Sequence, residues 1–505
     1  MRFITFTFLC CVWLNVATQS RRFLIGLGEP NSPDINNAKH ITDEWFEQKL
    51  DHFNPIDNRT WKQRYQINTE YYKEGGPIFL MIGGEGEISA LWMTNGAWIN
   101  YAKEFNALCI QLEHRFYGKS HPTDDMSSEN LVYLSSEQAL ADIAQFIVDI
   151  KIQLNISASS KWIAFGGSYP GSLAAWLRMK YPHLVHAAVS SSGPLLAKLD
   201  FYEYFKVVED ALFGYKPECV TQIKNANQML SKLVTSDKNT NYINKKFKLC
   251  DPLDISKKKD VSNLFETLAG NFAEVVQYNK DNRLSVTTER RKLTLETLCD
   301  IMIDESRHSP LDGYAAVNSK FLSVNNLSCT DYTYDNFIRN YRNVSWNSES
   351  AAGGRQWTYQ TCTEFGFYQT SNQEEHVFGN KFPIDFFIDM CSDIYGKKYN
   401  AELLSKGIKR TNMMYGELNI KENRVIYVHG SVDPWHALGI TETKIPNTAA
   451  IYINGTAHCA NMYPPASTDL PQLTKARITI RAFLNEWLTT SDSLEIYESD
   501  NIHFY

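Results

Sequence analysis

Gly166-Gly167-Ser168-Tyr169-Pro170-Gly171 is the stretch that decides the fold. The apolar run Trp162-Ile163-Ala164-Phe165 precedes it, and the amphipathic run Ser172-Leu173-Ala174-Ala175-Trp176-Leu177-Arg178-Met179 follows. A buried strand, a glycine-tight turn, a serine and a helix, in that order, describe a nucleophile elbow. Such a turn lifts a serine hydroxyl above a helix N-terminus at the C-terminal edge of a sheet. A plain glycine turn with a serine helix cap would use the same residues, so the rest of the chain has to discriminate. Pro170 stands where the usual pattern has glycine. Proline fits a first helical turn, where its missing amide has no intrahelical partner. It also biases Tyr169 away from helical dihedrals, and the Tyr169 amide is the expected oxyanion donor. The substitution therefore bears on the geometry of the site more than on its identity.

Working outward, the chain before the elbow alternates strands and helices. Pro77-Ile78-Phe79-Leu80-Met81-Ile82 reads as a buried strand that ends in Gly83-Gly84-Glu85-Gly86. Ala107 to Leu112 reads as another, running into Glu113-His114-Arg115-Phe116-Tyr117-Gly118. A helix follows from about Ser135, where Ser135 and Gln138 form a capping box and Leu140, Ile143, Phe146, Ile147 and Ile150 share one face. After the elbow comes the strand-like Ala187-Ala188-Val189-Ser190-Ser191. Strands and helices in alternation imply right-handed crossovers and a mostly parallel sheet. From about 200 to 400 the pattern turns helical, aromatic and rich in cysteine, and strands return at 424–430 and 449–455. A last helix spans roughly 470–488. The expected architecture is an α/β-hydrolase fold with a large disulfide-braced helical cap insertion. The expected division is 1–19 signal peptide, 45–199 first part of the α/β domain, 200–400 helical cap and 401–492 second part.

A serine hydroxyl is a weak nucleophile near neutrality. It needs an imidazole to take its proton and a carboxylate to orient that imidazole. In this fold the chain order is serine, then acid, then histidine on loops after late strands. Asp433 follows the strand ending at Gly430, and His458 follows the next one. Asp433 alone reads as a turn residue before Pro434, and His458 alone as a packed histidine. Together, downstream of Ser168, they read as a catalytic triad. The developing oxyanion needs donors: the Tyr169 amide, and a second amide from the Gly83–Glu87 loop, with Gly84 and Glu85 as candidates. The same glycines would also make an ordinary tight turn.

Composition is that of a globular protein, and a net charge of −7 with no basic cluster beyond Lys257-Lys258-Lys259, a run that reads as a solvated helix end, argues against nucleic-acid partners. Met1-Arg2, an apolar stretch from Phe3 to Val16 and the small and polar Ala17-Thr18-Gln19-Ser20 form a secretory signal peptide. No segment approaches the length of a membrane span. Six of the ten cysteines lie between Cys219 and Cys391 without metal-ligand spacing, which favours disulfides in an oxidising compartment. Cys109 and Cys459 fit either disulfides or buried thiols. Sequons at Asn58, Asn155, Asn326, Asn343 and Asn454 agree with passage through a glycosylating lumen. Asn454 lies so close to His458 that full occupancy there is not expected.

With the elbow, Asp433-Pro434-Trp435 and His458 in place, the chain resembles the S28 family of serine exopeptidases. The resemblance runs from about Trp45 to Trp487. It includes Phe46-x-x-x-Leu50-Asp51-His52-Phe53, Glu113-His114-Arg115-Phe116-Tyr117-Gly118-x-Ser120, Ala174-Ala175-Trp176-x-Arg178-x-Lys180-Tyr181-Pro182 and Trp357-x-Tyr359-Gln360-x-Cys362-Thr363-Glu364. The residues from Ser168 to Ser172 and His458-Cys459-x-Asn461-Met462 look nearer the thymus-specific branch of that family. The family's glycine or alanine is Pro170 here. The resemblance implies hydrolysis of short peptides from a chain end, often next to proline, in the lysosomal or endosomal lumen or outside the cell. It implies peptide substrates, no metal and no organic cofactor, and it leaves a homodimer open. It also implies Trp435 on the wall of a specificity pocket, where a core-anchoring role fits as well. The pairs it implies are Cys219 with Cys299, Cys250 with Cys329, and Cys362 with Cys391. Two alternatives stand beside this reading: a silent, peptide-binding relative with an elbow disturbed by Pro170, and a secreted esterase or lipase.

Overall fold

Alternation along the strands builds the centre of the molecule. The computed structural model describes residues 27–30, 38–280, 292–373 and 375–490, so the expected signal peptide and residues 491–492 lie outside it. The strands are β1 (Glu44–Lys49), β2 (Thr60–Asn68), β3 (Ile78–Ile82), β4 (Leu108–Leu112), β5 (Trp162–Gly167), β6 (Ala187–Ser191), β7 (Lys198–Asp200), β8 (Gly366–Tyr368), β9 (Val425–Gly430) and β10 (Ala449–Ile453). Eight of them form one sheet in the order β1-β2-β4-β3-β5-β6-β9-β10. Successive side chains point to opposite faces. Ile78, Leu80, Ile82, Ala164 and Tyr427 therefore enter one hydrophobic cluster. Phe79, Met81, Ile163, Phe165, Ile426 and Val428 enter the other. β3, buried along its whole length, reads as an unbroken apolar run, and β4, β5, β6 and β9 are largely apolar, as parallel strands covered on both faces are.

Neighbours from β4 to β10 pair in parallel, while β1 pairs antiparallel with β2, and β2 with β4. Helix α1 (Ala97–Phe105) connects β3 to β4, α2 (Ser136–Gln153) connects β4 to β5, and α3 (Tyr169–Lys180) connects β5 to β6. This is the expected α/β-hydrolase fold. Its connections leave β3 and β5 in opposite directions, so the adjacent C-terminal ends of these two strands form a topological switch point. That is where open α/β sheets bind ligands, and it is where Gly84 of the Gly83–Glu87 loop meets Pro170 of the elbow.

Two details differ from expectation. Ser135 does cap α2, accepting the Gln138 N–H at 3.2 Å. The box is not reciprocated, because the Gln138 side chain is engaged elsewhere: it accepts the His52 N–H at 3.0 Å and donates to Asp51 at 2.6 Å. The helical segment also carries a strand, β8, which pairs in parallel with β7. Otherwise the described chain between β6 and β9 is mainly helical. It holds Cys219–Cys299, Cys250–Cys329 and Cys362–Cys391 disulfides, in the pairing the resemblance implied. Cys109 and Cys459 are buried thiols.

Candidate active site

The elbow carries its strain at the serine. Ser168 has φ 65° and ψ −135°, a left-handed conformation costly for a residue with a Cβ. It follows β5 directly and caps α3, with Pro170 second in that helix. The proline is accommodated because the switch-point loop offers it a glycine: a Cβ on Gly84 would fall 2.5 Å from Pro170 Cγ. The Ser168 N–H donates to the Ser191 carbonyl at 2.9 Å, tying the turn to the end of β6.

Asp433 and His458 meet as the chain order predicts. Asp433 caps the short turn Pro434–Leu438, its carboxylate accepting the Trp435 N–H at 3.0 Å. The same carboxylate is 2.8 Å from His458 Nδ1, with both side chains buried. Main-chain bonds from Ser431 to Ile453 and from Val432 to Thr456 hold the two loops together. Burial alone would raise the Asp433 pKa, yet the His458 imidazole, with help from His429 and Ser192, holds it below the usual carboxylate range. Burial alone would lower His458. The Asp433 charge and its hydrogen bond, together with Cys459, outweigh it and raise the imidazole well above its ordinary value. A carboxylate that orients an imidazole and stabilises its protonated form is what a proton-shuttling base requires.

The serine and histidine loops lie against each other. A Cβ on Gly167, the residue before Ser168, would fall 3.0 Å from the sulfur of Cys459, the residue after His458. The Cys459 thiol is also 3.8 Å from the Ser191 carbonyl that holds the Ser168 N–H. Among the described residues, the Ser168 hydroxyl itself is not hydrogen-bonded to the His458 ring. Such contacts commonly tighten only when substrate binds.

A buried polar network sets the first residue of α3. His114 Nδ1 lies 2.7 Å from the Arg115 carbonyl, which can only accept, so Nδ1 carries the proton and Nε2 accepts the Tyr169 O–H at 3.1 Å. Burial lowers the His114 pKa to about 4, which keeps the ring neutral. Gln360, from the helical segment, donates to the Tyr169 oxygen at 3.1 Å and accepts the Tyr117 O–H at 2.7 Å. Tyr169 is thus held from both sides, and its main-chain N–H, first in the helix, has no intrahelical acceptor. His114, Tyr117 and Gln360 all sit in motifs named above, but their partners are too far apart in sequence to reveal these roles.

Trp435 is nearly buried, its ring centroid 6.4 Å from that of His458 and packed against Phe201, Tyr204 and Phe367. Its indole N–H donates to Gln277 at 3.0 Å. Gln277, which no local sequence signal marks, is a further residue of the site that sequence reasoning missed. The five sequon asparagines are all exposed. No group of His, Cys, Asp and Glu among the described residues could hold a metal ion, and no helix among them is long and apolar enough to cross a membrane.

A family model described as serine carboxypeptidase S28 matches residues 48–480. A Caenorhabditis elegans chain named provisionally as a serine protease is 38% identical over 91% of this chain and 92% of its own length. The thymus-specific serine protease of Mus musculus is 34% identical, covering 88% of this chain and 87% of the relative. The lysosomal Pro-X carboxypeptidase of Bos taurus is 29% identical, again covering 88% and 87%. A match that spans the elbow, both late loops and the helical segment between them makes this chain a member of the serine carboxypeptidase S28 family of serine peptidases.

Proposed function

We propose that this protein is a serine exopeptidase that cleaves short peptides near a chain end, with a preference for positions next to proline. The observation that carries the reading is the buried 2.8 Å contact between Asp433 and His458, on loops packed against the strained turn of Ser168. In this reading His458 Nε2 takes the Ser168 proton as the hydroxyl oxygen attacks the scissile carbonyl. The carbonyl oxygen gains negative charge, met by the amides of Tyr169 and of Gly84 or Glu85. His458 then returns the proton to the leaving amine, giving an acyl-enzyme, and a water activated by the same imidazole hydrolyses the ester. No step calls on a metal or an organic cofactor.

Residues 45–199 and 401–492 form the catalytic domain in this proposal, and the helical residues 200–400 cap it, restricting access to chain ends. Support comes from Gln277 and Gln360, two residues of the helical segment bonded to His458 and Tyr169. Trp435 serves as a fixed aromatic wall beside the imidazole, a flat surface suited to a proline ring. We place the mature protein in the lysosomal or endosomal lumen or outside the cell, glycosylated on the exposed sequons. Incubation with a mixture of short peptides, followed by mass analysis of products, tests the reading. Release of one or two residues from one end is expected, whereas cleavage only at internal bonds, or of acyl esters alone, contradicts it.

A further inference from the structure

Pro170 stands one place later than a proline that opens a helix. At the first helical position proline follows the cap, whose dihedrals are non-helical in any case. Here Tyr169 is first and Pro170 second. The residue that proline steers away from helical dihedrals is therefore one that α3 needs to be helical. On its other side Ser168 holds φ 65° and ψ −135°. The first turn closes all the same, the Gly171 N–H donating to the Ser168 carbonyl at 2.8 Å. Between these two residues lies the main-chain N–H proposed as an oxyanion donor.

The Tyr169 side chain has a hold that the local backbone lacks. Its ring packs on Trp357 and Phe365, each at a centroid distance of 5.5 Å. Its hydroxyl lies between His114 and Gln360, each at 3.1 Å. Gln360 is not free to turn. One Nε2 hydrogen goes to Tyr169 and the other to Glu364 Oε2 at 3.2 Å, while Oε1 accepts the Tyr117 hydroxyl at 2.7 Å. Reversing the amide would set its oxygen against the Glu364 carboxylate. Glu364 is anchored in turn on the first residue of α2, accepting the Ser136 N–H at 3.0 Å and the Ser136 hydroxyl at 2.7 Å. Gln360 ends the helix Gly354–Gln360, and Glu364 lies in the single π-helical turn Thr361–Phe365 that continues it. Such turns recur at functional sites. The helix Ala401–Tyr415 backs this one, Thr411 donating to the Glu364 carbonyl at 2.8 Å.

Resting on the triad reading above, we propose that Gln360 and Glu364 are positioning residues for acyl transfer. By clamping the Tyr169 ring they keep its main-chain N–H on the reacting carbonyl, against the preference that Pro170 imposes. The oxyanion donor is then complete only while the helical segment is docked on the sheet. A donor that meets charge developing in the transition state acts on the rate of the chemical step. Loosening the clamp should therefore slow each competent molecule, not merely reduce the number of folded ones. With alanine at 170 the clamp has less to oppose, and its loss should matter less.

The experiment follows modification of Ser168 by a fluorophosphonate, whose phosphoryl oxygen takes the oxyanion's place. The end point counts competent molecules, and the rate constant reports how well each one reacts. Gln360→Leu removes all the hydrogen bonds of the amide, and Tyr169→Phe removes only the hydroxyl that the clamp grips. Each is expected to slow labelling about tenfold, short of the roughly 10²–10³ lost with a whole donor. In a Pro170→Ala background the slowing by Gln360→Leu should shrink to about threefold or less. A merely structural clamp would lower the melting temperature and the end point, yet leave the rate constant unchanged. That result in both variants overturns the proposal, and so does an undiminished slowing in the Pro170→Ala background. If Gln360→Leu does not fold, the rate constant of Tyr169→Phe decides alone. If wild type is not labelled on Ser168, the triad reading fails and the clamp falls with it.

Discussion

Gln277 and His458 are joined through the main chain, the His458 N–H donating to the Gln277 carbonyl at 2.9 Å. Gln277 is the last residue of the helix Lys258–Gln277, in the segment inserted between β6 and β9. Its side-chain oxygen also accepts the Trp435 indole N–H at 3.0 Å and the Tyr204 hydroxyl at 2.5 Å. One glutamine thus fixes the backbone of the histidine and the ring beside it. Gln277→Ala keeps the carbonyl but leaves two buried donors unpaired. We expect a loss of roughly 2–4 kcal/mol in stability and a fall of about tenfold in kcat/KM from the loosened wall beside the imidazole. Gln277→Glu, which keeps an acceptor, should recover most of the thermal stability. Equal melting temperatures for wild type and Gln277→Ala would contradict the assignment.

The Gly84 contact with Pro170 makes a prediction of its own. A methyl at 84 would overlap Pro170 Cγ at 2.5 Å and Cδ at 2.9 Å, and a proline ring cannot swing aside. Gly84→Ala should push the Gly83–Glu87 loop, the proposed second source of oxyanion donors, off the elbow and lower kcat by on the order of a hundredfold. Because the overlap is pairwise, Gly84→Ala combined with Pro170→Gly should recover much of that loss. Additive effects in this cycle would show that the two residues are energetically independent.

Asp433→Asn removes the charge that orients and stabilises the His458 imidazolium. The side chain keeps its size, so the fold should survive. The kcat should fall by about 10⁴, with the loss smallest at low pH, where the variant's imidazole, no longer held up by the carboxylate, stays neutral while that of wild type is protonated. A pH-independent loss below tenfold would place Asp433 outside the proton relay.

These site residues differ in how far the sequence disclosed them. The elbow, the Asp433 loop and the His458 loop each follow an apolar strand, so local pattern was enough to find them. Strands β1 and β2 were invisible to the same reading. Their buried positions include Gln48, Gln63, Arg64, Gln66 and Asn68, not an apolar run. Each of these residues bonds to a partner remote in sequence: Gln48 reaches Gln63 at 3.0 Å, and Gln63 reaches the Glu113 carbonyl at 2.7 Å. A polar strand buried by long-range hydrogen bonds carries no periodic signal of its own. Gln277 and Gln360 were hidden for the same reason, since their roles exist only once two distant segments dock.

His376 supplies a pH test of packing. Its ring is buried among Phe205, Phe378 and Phe382, at centroid distances of 5.2, 5.9 and 5.9 Å, and Nδ1 accepts the Phe378 N–H at 3.1 Å. Burial lowers its pKa to about 4, below the value near 6.5 of an unfolded histidine. The unfolded chain therefore binds the extra proton between those values. The contribution of this ring is complete above about pH 6.5 and is lost as pH falls toward 4. The loss amounts to about 3 kcal/mol. His376→Asn should be less stable than wild type at pH 7, and the difference should shrink on acidification to pH 4.5. A gap in melting temperature that stays constant over that window would show that His376 does not titrate as its burial requires.

The account turns on Ser168 being the nucleophile that His458 and Asp433 serve. Its most direct test is modification by a fluorophosphonate probe, with the adduct mapped by mass to its peptide. Wild type is expected to carry one adduct, on Ser168, while Ser168→Ala remains unlabelled with an unchanged melting temperature. An adduct on another residue, or labelling of Ser168→Ala at the wild-type rate, would contradict it.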